Sequence, residues 1–413
     1  MPTAPMKPDE LARYAETLVR GCIALRRGDT LVVRASPAHR ELVVAVAEAA
    51  YRRGAVHVEH AVDDARLTAA RIAHGGEDAL GHATSWALAR ARRMGDEDVA
   101  VVHVMGEFES DVIAALPPER LAEDAKRHQE RAPFVGRARR EGRFRGTICA
   151  WPTDEWARRV YPDLDPAKAE RKLARDLLSF CRLGAGDPDG HKGWNDHLAT
   201  IRRRSARLTK LELRELHLRD RGTDLRLRIP PSSMWRGGGE QTAWGHWIAP
   251  NVPTEECFIS PDAAATEGTF RCSRPRSFGG RTIEDLAGEF RGGRLVRLSA
   301  KRDADRDFLA RYLGSIENAD RLGEIALVDS TSRIGKTGRT YYNALLDENA
   351  AAHMAFGSGF AKTRTVPIGR ARHGVNRSRT HIDVMIGTDE LEAVGVTERG
   401  RRVTLVRDGL FQV

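Results

Sequence analysis

The sequence predicts a two-part fold: an N-terminal parallel α/β domain over residues 1–208, then a C-terminal antiparallel α+β domain over residues 209–413. Three observations predict it. In the first half, short β-branched runs alternate with amphipathic stretches, as in a parallel sheet with crossover helices. From about Asp154 to Lys210, helix formers dominate. Beyond that the texture changes: LELRELHLRD, TDLRLRIP, GTFRCSRP and GGRLVRLSA alternate apolar and polar residues between Gly-rich turns, the pattern of antiparallel strands.

The elements follow in order. Glu10 to Arg20 places Leu11, Tyr14, Ala15 and Leu18 at spacings of three and four, which predicts an amphipathic helix. GDTLVVRA (Gly28 to Ala35) is a turn leading into a short strand. Arg40 to Arg53 again has helical spacing and leads into AVHVEHAV (Ala55 to Val62), a second strand. DVAVVHVMG (Asp98 to Gly106) and GTICAWPT (Gly146 to Thr153) are two further candidates for buried strands.

Composition narrows the functional classes. The chain has 413 residues, of which 41% are apolar, as in ordinary globular proteins. It has no apolar run near the roughly 20 residues that cross a bilayer, and its first residues lack the apolar core of a signal peptide. Cys22, Cys149, Cys181, Cys257 and Cys272 are widely spaced and form no CxxC pair. That pattern suits a reducing cytoplasm and argues against a thiolate-ligated zinc. The formal charge of +9 arises from arginines scattered along the chain, so it reads as solvated surface and predicts no nucleic-acid partner and no membrane partner.

The chemistry concentrates in the last third. THIDVMIG (Thr380 to Gly387) is strand-like, so His381 and Asp383 project from one face while Ile382 and Val384 project from the other. Alone, such a pair is most often a hydrogen-bonded surface pair. YNALLDENAAAHMAFGSGF (Tyr342 to Phe360) has helical character and sets Asp347, Glu348 and His353 among alanines, where little satisfies a polar group. A core histidine bonded to a carbonyl is the plain alternative. GEIALV puts Glu324 at the head of an apolar strand, and NVPTEECF puts Glu255 and Glu256 inside another. Together these carboxylates and two imidazoles form a donor set for a pair of divalent ions. STSRIGKTG (Ser330 to Gly338) imitates a phosphate-binding loop, but Ser330 stands where that pattern requires glycine. RGGGEQTAWG (Arg236 to Gly245) is read as a turn between strands.

NVPTEECFISP, LGEIALV, YYNALLDENAAAHMAFGSGF and NRSRTHIDVMIG, in this order, resemble the M29 family of metal-dependent aminopeptidases, the thermophilic aminopeptidase T type. GDTLVVRA, ICAWPTDEWARRVYPDL, GTDLRLRIP and VTLVRDG extend the resemblance over nearly the whole chain. The resemblance implies a homodimeric metallopeptidase that removes N-terminal residues from peptides with a free amino terminus, or from small amides, by a metal-activated water. Its C-terminal domain would hold two divalent ions, zinc, cobalt or manganese. Carried over, the ligands are Glu256, Glu324, His353, His381 and Asp383; of the adjacent pair, Glu256 is favoured as ligand and Glu255 as catalytic base.

One departure stands out. Where the family has a tyrosine reaching the metals, this chain has Phe360, which offers no oxygen; Tyr341, Tyr342 and His373 are the neighbouring substitutes. The departure keeps a second enzymatic reading open: a specialised metal-dependent enzyme on the same scaffold. It would be either an amide hydrolase of a dedicated pathway or a single-metal ring-cleaving dioxygenase using His353, His381 and Asp383. A third reading, an inactive binding protein, predicts salt-sensitive binding without metal dependence.

Overall fold

The computed structural model describes residues 4–106, 109–187, 191–365 and 374–413. The chain forms two compact units, Met1–Asp196 with Gly239–Pro253, and His197–Gly238 with Thr254–Val413. Residue 208, the boundary read from sequence, falls inside the helix His191–Lys210. Among the described residues, no helix is long and apolar enough to cross a membrane.

The first unit is built on a parallel sheet. Strands β1 (Thr30–Ala35), β2 (His57–Val62), β3 (Ala100–Met105) and β4 (Arg145–Ala150) lie in the order β2-β1-β3-β4, and the short strand Asn251–Val252 adds beside β4. β1 lies inside the sheet between β2 and β3 and carries a nearly continuous buried run, as parallel strands covered on both faces do. The helix Arg40–Arg52 turns Leu42, Val43, Val46, Ala49 and Ala50 inward at helical spacing. The N-terminal helix Pro8–Glu16 continues as a π-helical turn through Thr17–Cys22, and together they cover the helix expected at Glu10 to Arg20.

Among the described residues, the second unit contains two larger antiparallel sheets and a two-stranded one, Arg276–Phe278 with Arg281–Ile283. One has eight strands, with Leu213–Asp220 and Thr223–Arg228 at its centre. The other has four, in the order β5 (Cys257–Ile259), β6 (Leu322–Leu327), β7 (His353–Gly357) and β8 (His381–Met385). Its register pairs Phe258 with Ala326, Ala326 with His353, Glu324 with Ala355, Ala355 with Asp383, and Gly357 with His381.

Two expectations are corrected here. His353 opens a strand rather than sitting on a helix: only Ala344–Asp347 is helical, and residues 353–357 are captured between β6 and β8. A short apolar, Ala-rich run fits a buried helix or a buried strand equally well, and only the long-range pairing decides. Glu255 and Glu256 lie in no strand, because residues 253–256 connect Asn251–Val252 to β5 without regular structure. Pro253 lacks the N–H that a continuing ladder needs.

Candidate metal centre

Strand alternation sorts the four-stranded sheet into two faces. Cys257, Ile259, Ile325, Leu327, Met354, Phe356, Ile382 and Val384 join the apolar core. The opposite face therefore carries Phe258, Glu324, Ala326, His353, Ala355, Gly357, His381 and Asp383. Ala355 stands between Glu324 and Asp383 across three neighbouring strands, so a methyl group is all that intervenes. Gly357, at φ +92°, lets the chain leave β7 tightly; a Cβ there would meet the Thr380 carbonyl oxygen at 2.2 Å.

The side chains converge over this face. His353 Nε2 lies 3.1 Å from Glu256 Oε2, and His381 Nε2 lies 3.1 Å from both Glu324 Oε2 and Asp383 Oδ1. Ligand atoms of Glu256, Glu324 and His353 are all within 4.8 Å of one another, as are those of Glu324, His381 and Asp383. Glu324 belongs to both groups. The far nitrogen of each ring faces a backbone carbonyl: His381 Nδ1 is 2.7 Å from Ser358 O, and His353 Nδ1 is 3.3 Å from Ala351 O. A ring that donates through Nδ1 presents Nε2 to the cluster, the arrangement found around metal-bound histidines.

The electrostatics fit a cation-binding cluster. Burial pushes the Glu324 carboxyl up, and contact with His381 only partly offsets it. Burial lowers both imidazoles in isolation, yet Glu256 and the other carboxylates lift His353 to about 10, while Asp383 and Glu324 lift His381 well above its ordinary range. Asp383 shows the reverse: burial would raise it, but the charge and hydrogen bond of His381 hold it below the usual carboxylate range. Both imidazoles thus answer to an excess of neighbouring carboxylate charge. Carboxylate and imidazole donors, two such groups joined by one carboxylate, and small residues beneath them suit two divalent ions.

Glu255 lies apart from both groups. It is 6% exposed, its N–H donates to Asn349 Oδ1 at 2.7 Å, and its Oε2 is 3.5 Å from His197 Nε2. His197 Nε2 also lies 2.8 Å from Thr254 O. Two participants carried weak signals in the sequence. Burial, together with the charges of Asp383 and Glu256, pushes the Glu348 carboxyl well up. Asn349, fully buried, links the Glu255 backbone to Leu345 O and, at 3.4 Å, to Glu348 Oε1. Asp347 is structural: burial raises its carboxyl to about 6 while it accepts the N–H groups of Tyr341 and Asn343.

Phe360 does reach the site. Its ring centroid is 5.1 Å from that of His381 and 5.4 Å from that of Phe258. Tyr341 is buried in the turn that Asp347 caps, Tyr342 follows it at φ +55°, and His373 lies outside the described residues. The phosphate-loop imitation dissolves: Gly335 N–H donates to Ser332 Oγ, and the N–H groups of Lys336, Thr337 and Gly338 bond to carbonyls of the same loop. Glu240–Gln241 pairs with Trp247–Ile248, so the Gly-rich stretch before it leads into a hairpin.

The chain is similar to known proteins over nearly its whole length. The chain is 32% identical over 406 residues to aminopeptidase T of Thermus thermophilus, covering 98% of each, and 30% identical over 409 residues to aminopeptidase 2 of Geobacillus stearothermophilus, covering 97% of each. Wild-type AmpT from Thermus thermophilus superposes with a TM-score of 0.89 at 31% identity, covering 98% of this chain and 99% of that one. A 2,5-dihydroxypyridine dioxygenase from Pseudomonas putida KT2440 shares the fold alone, with a TM-score of 0.51 at 14% identity over 98% of each chain. Residues 7–411 match the thermophilic metalloprotease family M29, and with the relatives at 30% identity or more this establishes that the chain belongs to the M29 family of metalloproteases.

Proposed function

We propose that this protein is a metal-dependent aminopeptidase that removes N-terminal residues from peptides with a free amino terminus. The observation that carries the reading is the pair of donor groups sharing Glu324 on one face of a buried sheet. Its relatives are named aminopeptidases, which supports the same activity here. The dioxygenase alternative gains no support, since its representative shares only the fold and Glu256 and Glu324 sit beside the two histidines.

In this reading, Glu256 and His353 hold one side of the centre, His381 and Asp383 hold the other, and Glu324 serves both. When bound, two divalent ions (zinc, cobalt or manganese) would polarise the scissile carbonyl, acidify the attacking water and anchor the α-amino group. Asn349 and His197 fix the Thr254–Glu255 backbone, so the Glu255 carboxylate is held ready to take the proton of the water and pass it to the leaving amine. The Ser358 and Ala351 carbonyls keep both imidazoles oriented. Phe360 contributes an apolar wall beside His381 in place of a phenol.

The five cysteines are unpaired, which supports a cytoplasmic protein, and we infer a homodimer by analogy with the family. The test is release of free amino acid from unblocked dipeptides and from their acetylated counterparts, with and without a chelator. Chelator-sensitive cleavage confined to the unblocked peptides is expected. Equal cleavage of acetylated peptides, or activity indifferent to the chelator, would sink the proposal.

A further inference from the structure

The two halves of the metal centre are built by different means. His381 and Asp383 stand two residues apart on β8 and Glu324 lies on β6, so the ladders of one sheet fix all three. The spacing of the first two is the strand repeat itself. Glu256 lacks that support. It stands outside regular structure, one residue before β5, and its partner His353 opens β7, which is not a neighbour of β5 in the sheet. Something other than a strand ladder has to hold that carboxylate against that imidazole.

Asn349 makes the connection. It is fully buried, and both ends of its side-chain amide are used: Oδ1 accepts the Glu255 N–H at 2.7 Å, while Nδ2 donates to Leu345 O at 2.8 Å and reaches Glu348 Oε1 at 3.4 Å. These partners fix its orientation, because turning the amide over would set donor against donor and acceptor against acceptor. Asn349 lies four residues before His353 in a buried run, and the Ala351 carbonyl of that run faces His353 Nδ1. The Ala352 carbonyl accepts the N–H groups of Ile386 and Gly387, just past β8. One buried segment therefore carries the imidazole and, through a single amide, holds the backbone that presents Glu256. His197 braces the same loop at Thr254 O.

We infer that Asn349 is a positioning residue for the Glu256–His353 half of the centre alone, so that the two ions are held unequally and the one beside Glu256 and His353 leaves first. This rests on the two-ion centre of the aminopeptidase reading. A ligand placed by a side-chain hydrogen bond is less preorganised than ligands fixed by ladders, and losing such an outer partner costs about 10–100-fold in metal affinity.

The experiment titrates metal-free, full-length protein with zinc against a graded chelator, reads bound zinc per chain by elemental analysis, and follows dipeptide cleavage in the same samples. Wild type is expected to fill in two steps separated by about ten-fold or more, and Glu256→Gln to lose only the weaker step. Asn349→Ala should weaken that step by a further 10–100-fold or so and leave the tighter one within about three-fold of wild type. Asn349→Asp, which keeps an acceptor for the Glu255 N–H, should stay near wild type. Filling in one step by wild type, loss of the tighter step in Glu256→Gln, or an Asn349→Ala variant that shifts both steps equally or neither would overturn the inference. The first two outcomes need no Asn349 variant, so the inference stays exposed even where Asn349→Ala does not fold. Chelator-sensitive cleavage in those samples would leave the aminopeptidase standing, whereas the expected unequal filling without any cleavage would keep the inference and sink the aminopeptidase.

Discussion

Each unit buries charge, and the two do so differently. In the first, Arg145 is fully buried and pairs with Asp29 and with Asp98, 3.1 Å away, while His246 Nε2 bridges Asp98 at 2.6 Å and Arg145 at 3.0 Å. There one guanidinium lies against both carboxylates, and Asp98 keeps about a third of its side chain in solvent, so no outside ion is called for. In the second, the carboxylates of Glu256, Glu324, Glu348 and Asp383 crowd two imidazoles, which are lifted toward protonation in response. Burying unpaired charge is costly, so such an unbalanced cluster is stabilised by cations from elsewhere. Buried charge alone does not mark chemistry; the imbalance does.

Replacing a shared or bridging donor strikes that imbalance hardest. Glu324→Gln, and equally His381→Ala or Asp383→Ala, is expected to lower turnover by about 10³-fold or more and to strip metal at the same time, read by elemental analysis beside kinetics. A variant that turns over normally would refute the assigned centre. Glu255→Gln sharpens the contrast between ligand and base. It should cost about 10²–10⁴-fold in kcat while metal content stays at the wild-type level. Loss of metal in that variant would make Glu255 a ligand instead.

The Arg145 cluster should fail in another way. Arg145→Met leaves Asp29 and Asp98 facing each other without a cation, so about 3–5 kcal/mol of stability should disappear from denaturant titrations, with metal content per folded chain unchanged. Loss of metal without loss of stability would erase the distinction drawn here.

Titration separates the two clusters as well. Without metal, the folded-state pKa of His353 is raised from 6.5 to about 10, so its stabilising charge is complete below pH 6.5 and fades as the pH rises toward 10. Chelated protein should therefore lose stability across that window, at most about 1.4 kcal/mol per pH unit. Metal-loaded protein should not, because ligation needs neutral imidazole and strengthens as protons leave. Thermal melts of both forms between pH 6 and 10 check this; parallel curves would contradict it. The smallest expected effect is that of Phe360→Tyr. Restoring a phenol beside His381 should raise kcat by about ten-fold, through one hydrogen bond to a developing charge. No change in kcat would mean that the aromatic wall already serves in its place.

Much of this was legible in the chain. Glu324 was conspicuous as a charge heading an apolar strand, and His381 with Asp383 as polar residues two apart in another, because strand alternation is a local property. His353 reads as a donor, but on a helix, since the alanines around it carry no period and its strand exists only through pairing with β6 and β8. Asn349 and Glu348 gained their places from contacts that no local pattern encodes: Asn349 meets the Glu255 backbone 94 residues away in sequence. The same holds for Gly239–Pro253, which belongs with the first unit although the residues on both sides of it belong with the second.

The central claim is that the carboxylate excess around Glu324 exists to hold two ions. Metal analysis of the purified protein, with anomalous diffraction at the edge of whichever metal is found, tests it most directly. The account predicts two ions per chain, one beside Glu256 and His353, one beside His381 and Asp383, with Glu324 contacting both. A single ion bound without Glu256, or a fully folded protein that takes up none, would contradict it.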